Sequence, residues 1–244
     1  MQIRIVPDAG AIARASAEEV VRIAGEAAAA RGRFTIALSG GSTPRGLHLL
    51  LADPAEPYRA RIDWSRWHVF WGDDRHVPPD HPDSNYRMAV EAMLSKVPVP
   101  PANVHRVRGE LPDTERSARE YEETIRACVA GASLPRFDVI HLGVGTDGHT
   151  ASLFPGSAAL AERERLCVAN WVEKFAGYRI TLTLPILNAA RAAIFIVTGA
   201  AKAPIIQQVL RDRDATPPFP AQLIRPQDGE CWWMLDQAAA GELT

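Results

Sequence analysis

Asp147 and His149 stand two residues apart in Gly143-Val144-Gly145-Thr146-Asp147-Gly148-His149-Thr150, directly after the apolar run FDVIHL. A neutral imidazole is the natural general base near pH 7, and a neighbouring carboxylate can fix its tautomer and orientation. The segment also satisfies GxGxxG through Gly143, Gly145 and Gly148, with Glu162 and Glu164 roughly 20 residues on, where a dinucleotide fingerprint places its acid. Two features argue against that use. Pro155-Gly156 interrupts any long helix opening at Gly148, and the acids precede the next candidate strand instead of ending it. A lone histidine is more often structural than catalytic. One held among three glycines and an aspartate at a strand end is a stronger candidate.

Two further segments suit an anionic substrate. Ser39-Gly40-Gly41-Ser42-Thr43-Pro44 follows FTIAL and precedes a helical pattern. Its glycines allow close backbone approach, Thr43 is expected to cap the helix, and Pro44 suits its first turn. The free N–H groups there, with the hydroxyls of Ser39, Ser42 and Thr43, form a candidate phosphate cradle. An ordinary, well-capped strand–helix turn is the competing account. No Walker A loop is present. Gly72-Asp73-Asp74-Arg75-His76-Val77 follows WHVFW, and buried charges of that kind must be paired or used. Arg75 could grip a phosphate or bridge Asp73 or Asp74; the segment could equally be a solvated turn. Ser84 or Asn85 then suits the cap of the next helix. Lys202 follows AIFIV in the expected first helical turn, where the helix dipole favours anions; that placement makes sense if Lys202 faces a bound anion. The alternative is an exposed lysine. His48, His68, His81, His105 and His141 fall in helices, strands or connectors, where packing or solvent exposure accounts for them.

The elements that position these residues can be read from the spacing. Runs rich in β-branched and aromatic residues predict strands over 3–6, 34–38, 67–71, 137–142, 166–169, 179–184, 193–198 and 231–235. Several are apolar at successive positions, as in strands covered on both faces. Arg179-Ile180-Thr181-Leu182-Thr183-Leu184 alternates and reads as mainly structural. Helical patterns cover 11–31, 44–52, 85–96, 113–129 and 201–211. Strands alternating with helices imply an α/β fold of three layers, Rossmann-like, with a mostly parallel sheet and helices on both faces. The proline-rich stretches at 98–101 and 217–220 read as rigid connectors inside a single domain spanning 1–244. Ligands of open α/β sheets bind beyond the carboxyl ends of the strands, where the three segments lie.

Composition narrows the function classes. The 244 residues carry 27 Lys+Arg against 29 Asp+Glu, a net charge of −2, so a general nucleic-acid binder is not expected. Hydrophobic residues make up 47% and charged residues 23%, which fits a globular chain with a full core. Cys128, Cys167 and Cys231 are widely spaced and form no CxxC pair, fitting thiols in a reducing compartment; no zinc-type spacing occurs. The opening MQIRIVPDAG does not resemble a signal peptide, and no run reaches the length of a membrane span, so a cytoplasmic location is expected.

SGGSTP, WGDDRHVP with a downstream SNY, FDVIHLGVGTDGHTASLFPGS and VTGAAKA occur here in the order found in the 6-phosphogluconolactonases. That family belongs to a larger group that includes glucosamine-6-phosphate deaminases. The resemblance runs from about residue 10 to the end, through PAQLI and WWMLD. It implies hydrolysis of 6-phospho-D-glucono-1,5-lactone to 6-phosphogluconate, the second step of the pentose phosphate pathway. By the same resemblance His149 is the general base and Asp147 orients it or contacts sugar hydroxyls. Gly40, Gly41, Ser42 and Thr43, with Arg75 and Lys202, bind the 6-phosphate and help offset the oxyanion, while Asp73 and Ser39 are supporting candidates. No metal or organic cofactor is implied, and the implied partner is a small sugar phosphate; a monomer and a small homo-oligomer both fit.

The chemistry agrees. Water attack on an ester needs a base and a stabilised oxyanion, and no GxSxG elbow offers a serine nucleophile. In deaminases the loop resembles DGHIAFNEP, whose Glu assists ring opening; in DGHTASLFP, Phe154 stands there, and a phenyl ring cannot shuttle a proton. A non-catalytic sugar-phosphate-binding module would keep the cradle without needing Asp147 and His149. An NAD-dependent dehydrogenase fits least, for the reasons given at Gly143.

Overall fold

FTIAL at Phe34–Leu38 and AAIFIV at Ala192–Val197 are buried at every position, because helices cover both faces of the sheet they enter. The computed structural model describes residues 1–244 except 132, 213, 214, 242 and 244. Its strands are β1 (Gln2–Val6), β2 (Phe34–Leu38), β3 (Trp67–Trp71), β4 (Asp73–Arg75), β5 (Val139–Leu142), β6 (Cys167–Val172), β7 (Gly177–Leu182), β8 (Ala192–Val197) and β9 (Glu230–Asp236). Six of them form one sheet in the order β1-β9-β8-β5-β2-β3, with every neighbouring pair parallel. The helices are α1 (Ala9–Arg31), α2 (Ser42–Ala52), α3 (Pro57–Arg61), α4 (Asn85–Ala89), α5 (Thr114–Cys128), α6 (Ala158–Ala161), α7 (Leu184–Ala189) and α8 (Ala203–Arg211).

Two apolar clusters hold the layers together. On one face α1 and α2 contribute Ile12, Val20, Leu47 and Leu51 to a core with Trp67 and Ile36. On the other, α5, α7 and α8 contribute Tyr121, Ile125, Ile186 and Ile206 to a core with Phe137 and Phe195. Asp8 starts α1 by accepting the Ala11 amide at 2.8 Å, and Gly32 ends it with φ 74°. β3 follows β2 outward to the sheet edge, whereas β5 lies on the other side of β2, so the strand order reverses between β2 and β5. Such a switch point opens a crevice at the strand ends.

Several expectations need correction. The strands expected at 166–169 and 179–184 leave the parallel sheet. They become β6 and β7, which with β4 form a separate antiparallel sheet in the order β4-β7-β6. Asp73 and its neighbours are therefore strand residues, not a turn. The helix expected over 85–96 begins as α4 and widens into one π-helical turn at Val90–Leu94. α2 begins at Ser42 with Gly41 as its cap residue, so Thr43 is already helical and its hydroxyl instead meets Thr198 Oγ1 at 2.7 Å. Lys202 closes a 3-10 turn, Ala200–Lys202, immediately before α8. No helix of the described residues is long and apolar enough to cross a membrane.

Candidate active site

The loops after β2 and β5, the two strands at the switch point, form facing walls of a cavity of about 220 Å³. Ser39, Gly40 and Gly41 come from the first loop; Gly143, Val144, Gly145 and His149 come from the second. β4 adds Asp73 and Arg75, β7 adds Arg179, and Lys202 enters from the turn before α8. A larger, apolar cavity of about 370 Å³ lies between α8 and β9 among Val209, Ile224 and Trp233; it holds none of the candidate residues.

The β5 loop turns back so that His149 O accepts the Gly145 amide at 2.8 Å. This brings His149 Nδ1 to 2.5 Å from Asp147 Oδ1, which also accepts the His149 amide at 3.2 Å. A Cβ on Gly145 would fall 2.0 Å from His149 Nδ1, so only glycine lets the ring lie against this backbone. With Nδ1–H directed at Asp147, the lone pair sits on Nε2, which no group among the described residues engages. Phe154 stacks on the imidazole with centroids 4.1 Å apart and planes 28° apart. Burial pushes the imidazole below its ordinary 6.5, although Asp147 pulls the other way, so the ring is neutral at pH 7. Burial would raise Asp147, but its bond to His149 and the nearby Lys174 outweigh that and hold the carboxyl low.

The paired aspartates separate because successive strand residues face opposite ways. Asp73 lines the cavity, nearly buried, with Oδ2 accepting the Ser152 hydroxyl at 2.6 Å. Asp74 points away and organises the next turn, accepting the amides of Asn85 at 2.7 Å and Tyr86 at 3.1 Å. Burial pushes Asp74 up to about 6 against those donors. Ser84, not Asn85, supplies the cap of α4, accepting the Arg87 amide at 3.2 Å. Asn85 instead donates to Asp73 O at 2.9 Å and lines the cavity. A Cβ on Gly40 would lie 1.9 Å from Asn85 Oδ1, so this glycine makes room for that side chain.

Arg75 forms no ion pair with either aspartate among the described residues. One guanidinium nitrogen donates to Asp83 O, and its buried Nε has no protein partner. Its cross-strand partner on β7 is Arg179, which also lines the cavity. Like charges set opposite each other on a sheet are destabilising unless an anion sits with them. From sequence alone Arg179 reads as part of a structural strand, because its alternation with apolar neighbours carries no sign of a cavity. Lys202 Nζ donates to Val144 O at 2.7 Å, and burial lowers its pKa below 10.5. Ser42 is exposed at the start of α2 and Thr43 is tied to Thr198, so the cavity's own wall from this loop is Ser39, Gly40 and Gly41.

Residues 7–233 match the model of the family described as glucosamine-6-phosphate isomerases/6-phosphogluconolactonase. The chain belongs to this family. Among its relatives, the 6-phosphogluconolactonase of Nostoc sp. is 41% identical over 244 residues, covering 99% of this chain and 98% of the relative. The 6-phosphogluconolactonase of Homo sapiens is 41% identical over 218 residues, covering 89% of this chain and 83% of the relative. The solved 6-phosphogluconolactonase from Trypanosoma brucei superposes with a TM-score of 0.86 at 29% identity, over 100% of this chain and 98% of that one. A monomeric glucosamine-6-phosphate deaminase superposes with a TM-score of 0.82 at 16% identity, a likeness of fold alone.

Proposed function

We propose that this chain hydrolyses 6-phospho-D-glucono-1,5-lactone to 6-phosphogluconate, the second step of the oxidative pentose phosphate pathway. The observation that carries the reading is the Asp147–His149 pair, 2.5 Å apart, whose imidazole lines a cavity that also holds Arg75, Arg179 and Lys202. His149 Nε2 takes a proton from water as its oxygen attacks the lactone carbonyl, and Asp147 steadies the imidazolium that forms. The tetrahedral intermediate then expels the ring oxygen. That oxygen receives the proton back from Nε2, leaving a free hydroxyl and a carboxylic acid, which loses its proton to solvent and becomes the carboxylate. Lys202 and the β5-loop backbone offset the oxyanion, a role that preorganised donors perform best in a site closed to bulk water.

Arg75 and Arg179, with Lys202 and the amides of Gly40 and Gly41, receive the 6-phosphate. Asp73 keeps Oδ1 for a substrate hydroxyl. Each step uses base and electrostatics, so the scheme draws on no redox group or metal. Phe154 in the position of the deaminase Glu supports lactone hydrolysis over ring opening and amine release. The free thiols, two of them buried, support a cytoplasmic setting. The test is hydrolysis of enzymatically generated 6-phosphogluconolactone followed against the buffer rate. The wild-type chain exceeds that rate, and folded His149→Ala loses most of the excess; equal turnover by the two would sink the assignment.

A further inference from the structure

Beyond the cavity, the tip of the β6–β7 hairpin touches the catalytic pair along two separate lines. Glu173–Phe175 forms a 3-10 turn, and Ala176 closes it in the left-handed region at φ 45°. From this tip Lys174 Nζ reaches Asp147 Oδ2 at 3.5 Å, the oxygen that His149 does not use. The next residue, Phe175, meets Phe154 edge-on with centroids 6.1 Å apart, and Phe154 in turn stacks on His149. Arg179, further along β7, lies over the Phe175 ring at 4.9 Å while lining the cavity.

We propose that Lys174 and Phe175 are positioning residues of the lactonase site, holding the His149 imidazole from both sides, Lys174 through Asp147 and Phe175 through Phe154. The proposal rests on the function proposed above. An exposed ion pair and an exposed aromatic are ordinarily worth little to stability, and both side chains here are more than half exposed. Their convergence on one imidazole gives them a different use. Lys174 keeps Asp147 anionic and its second oxygen occupied, so the carboxylate cannot swing away from Nδ1. Phe175 backs the ring that excludes water from the imidazole. The charges facing His149 are Asp147 on its own loop, Asp73 on β4 and Lys202 before α8. Lys174 bears on the imidazole through Asp147.

The test uses the full chain with Lys174→Gln and Phe175→Ala, and the matched variants Lys174→Arg and Phe175→Tyr. The His149 ring titration is followed by NMR, its signal assigned by loss in His149→Gln. Loosening the Phe175 line admits water, which favours the protonated ring, whereas loosening the Lys174 line frees Asp147, whose hydrogen bond and charge are what favour that ring. The titration midpoint therefore rises by about half a pH unit or more in Phe175→Ala, falls by about as much in Lys174→Gln, and stays in place in the matched pair. On 6-phosphogluconolactone, kcat falls about 10-fold with KM within about 2-fold, the split expected when orientation of the base is lost and binding is not. An unmoved His149 titration in both variants overturns the proposal, even if melting temperature drops. The NMR readout needs no turnover, so a wild-type chain inactive on the lactone would defeat the function reading and leave this test decisive.

Discussion

Ser152 Oγ donates to Asp73 Oδ2 at 2.6 Å, joining the loop that carries His149 to strand β4 beneath the cavity. Ser152 is wholly buried, its amide donates to Thr181 Oγ1 at 3.1 Å, and its carbonyl accepts the Asn170 side chain at 2.9 Å. The small antiparallel sheet thus fixes Asp73, the aspartate that lines the cavity among the described residues. Ser152→Ala removes a buried donor from a nearly buried carboxylate, which costs about 1–3 kcal/mol. Urea unfolding is expected to show that loss, and steady-state assays a raised KM as Asp73 turns from the substrate. An unchanged KM would remove Asp73 from substrate contact.

The His149 ring sits below 6.5 because burial outweighs the pull of Asp147. In its proposed role as general base it works only unprotonated. kcat/KM is therefore expected to stay flat above pH 6.5 and to fall tenfold per unit once the pH drops below the ring's lowered midpoint. The profile is read with buffers corrected for spontaneous lactone hydrolysis. His149→Gln, which keeps a polar side chain but no base, loses roughly 10²–10⁴-fold and with it the acid limb. A limb that survives in His149→Gln would belong to another group.

Arg75 and Arg179 face each other across the β4–β7 pair. Without ligand they repel, so Arg75→Gln is expected to raise apo stability by a few tenths of a kcal/mol, within the ~0.2–1 kcal/mol of a cross-strand pair. In the proposed phosphate clamp the same change weakens phosphate binding. Arg75→Gln and Arg179→Gln raise KM for the phosphorylated lactone about 10-fold or more, the scale of charge-assisted bonds, and leave unphosphorylated gluconolactone nearly unaffected. Lys202→Ala is expected to add a loss of kcat on both substrates, since the proposed mechanism also uses it at the oxyanion. Equal effects of the two arginine variants on both lactones would end the phosphate-clamp assignment.

The layers of the fold, and the segments around Asp147, His149, Gly40 and Arg75, were legible in the sequence because their signals are local. Doubly buried strands are apolar at every position, and glycine clusters at strand ends announce close backbone approach. The second sheet was hidden because β4 is three residues long and differs from a turn only through pairing with β7, some hundred residues away in sequence. Arg179 was missed for the same reason: its meaning comes from standing opposite Arg75. Thr43 reads as a cap from its type, but Gly41 takes the cap position and Thr198 takes the hydroxyl.

His48 on α2 and His141 on β5 lie fully buried on the same face of the sheet, and neither ring has a hydrogen-bond partner among the described residues. Burial lowers His48 to about 4 and His141 to about 3, the second also feeling the first. The unfolded chain takes protons on both near 6.5, while the folded chain resists until far lower pH. Their contribution to stability is thus complete above pH 6.5 and is lost as pH falls toward 4. At pH 5 the loss is about 2 kcal/mol per histidine. Urea titrations at pH 7.5 and 5 measure it directly, and either His48→Gln or His141→Gln, which cannot titrate, should flatten the slope by about half of the pair's share. A slope unchanged in both variants would assign the acid sensitivity to other groups, the half-buried His105 first among them, held near 4 by burial and by His68.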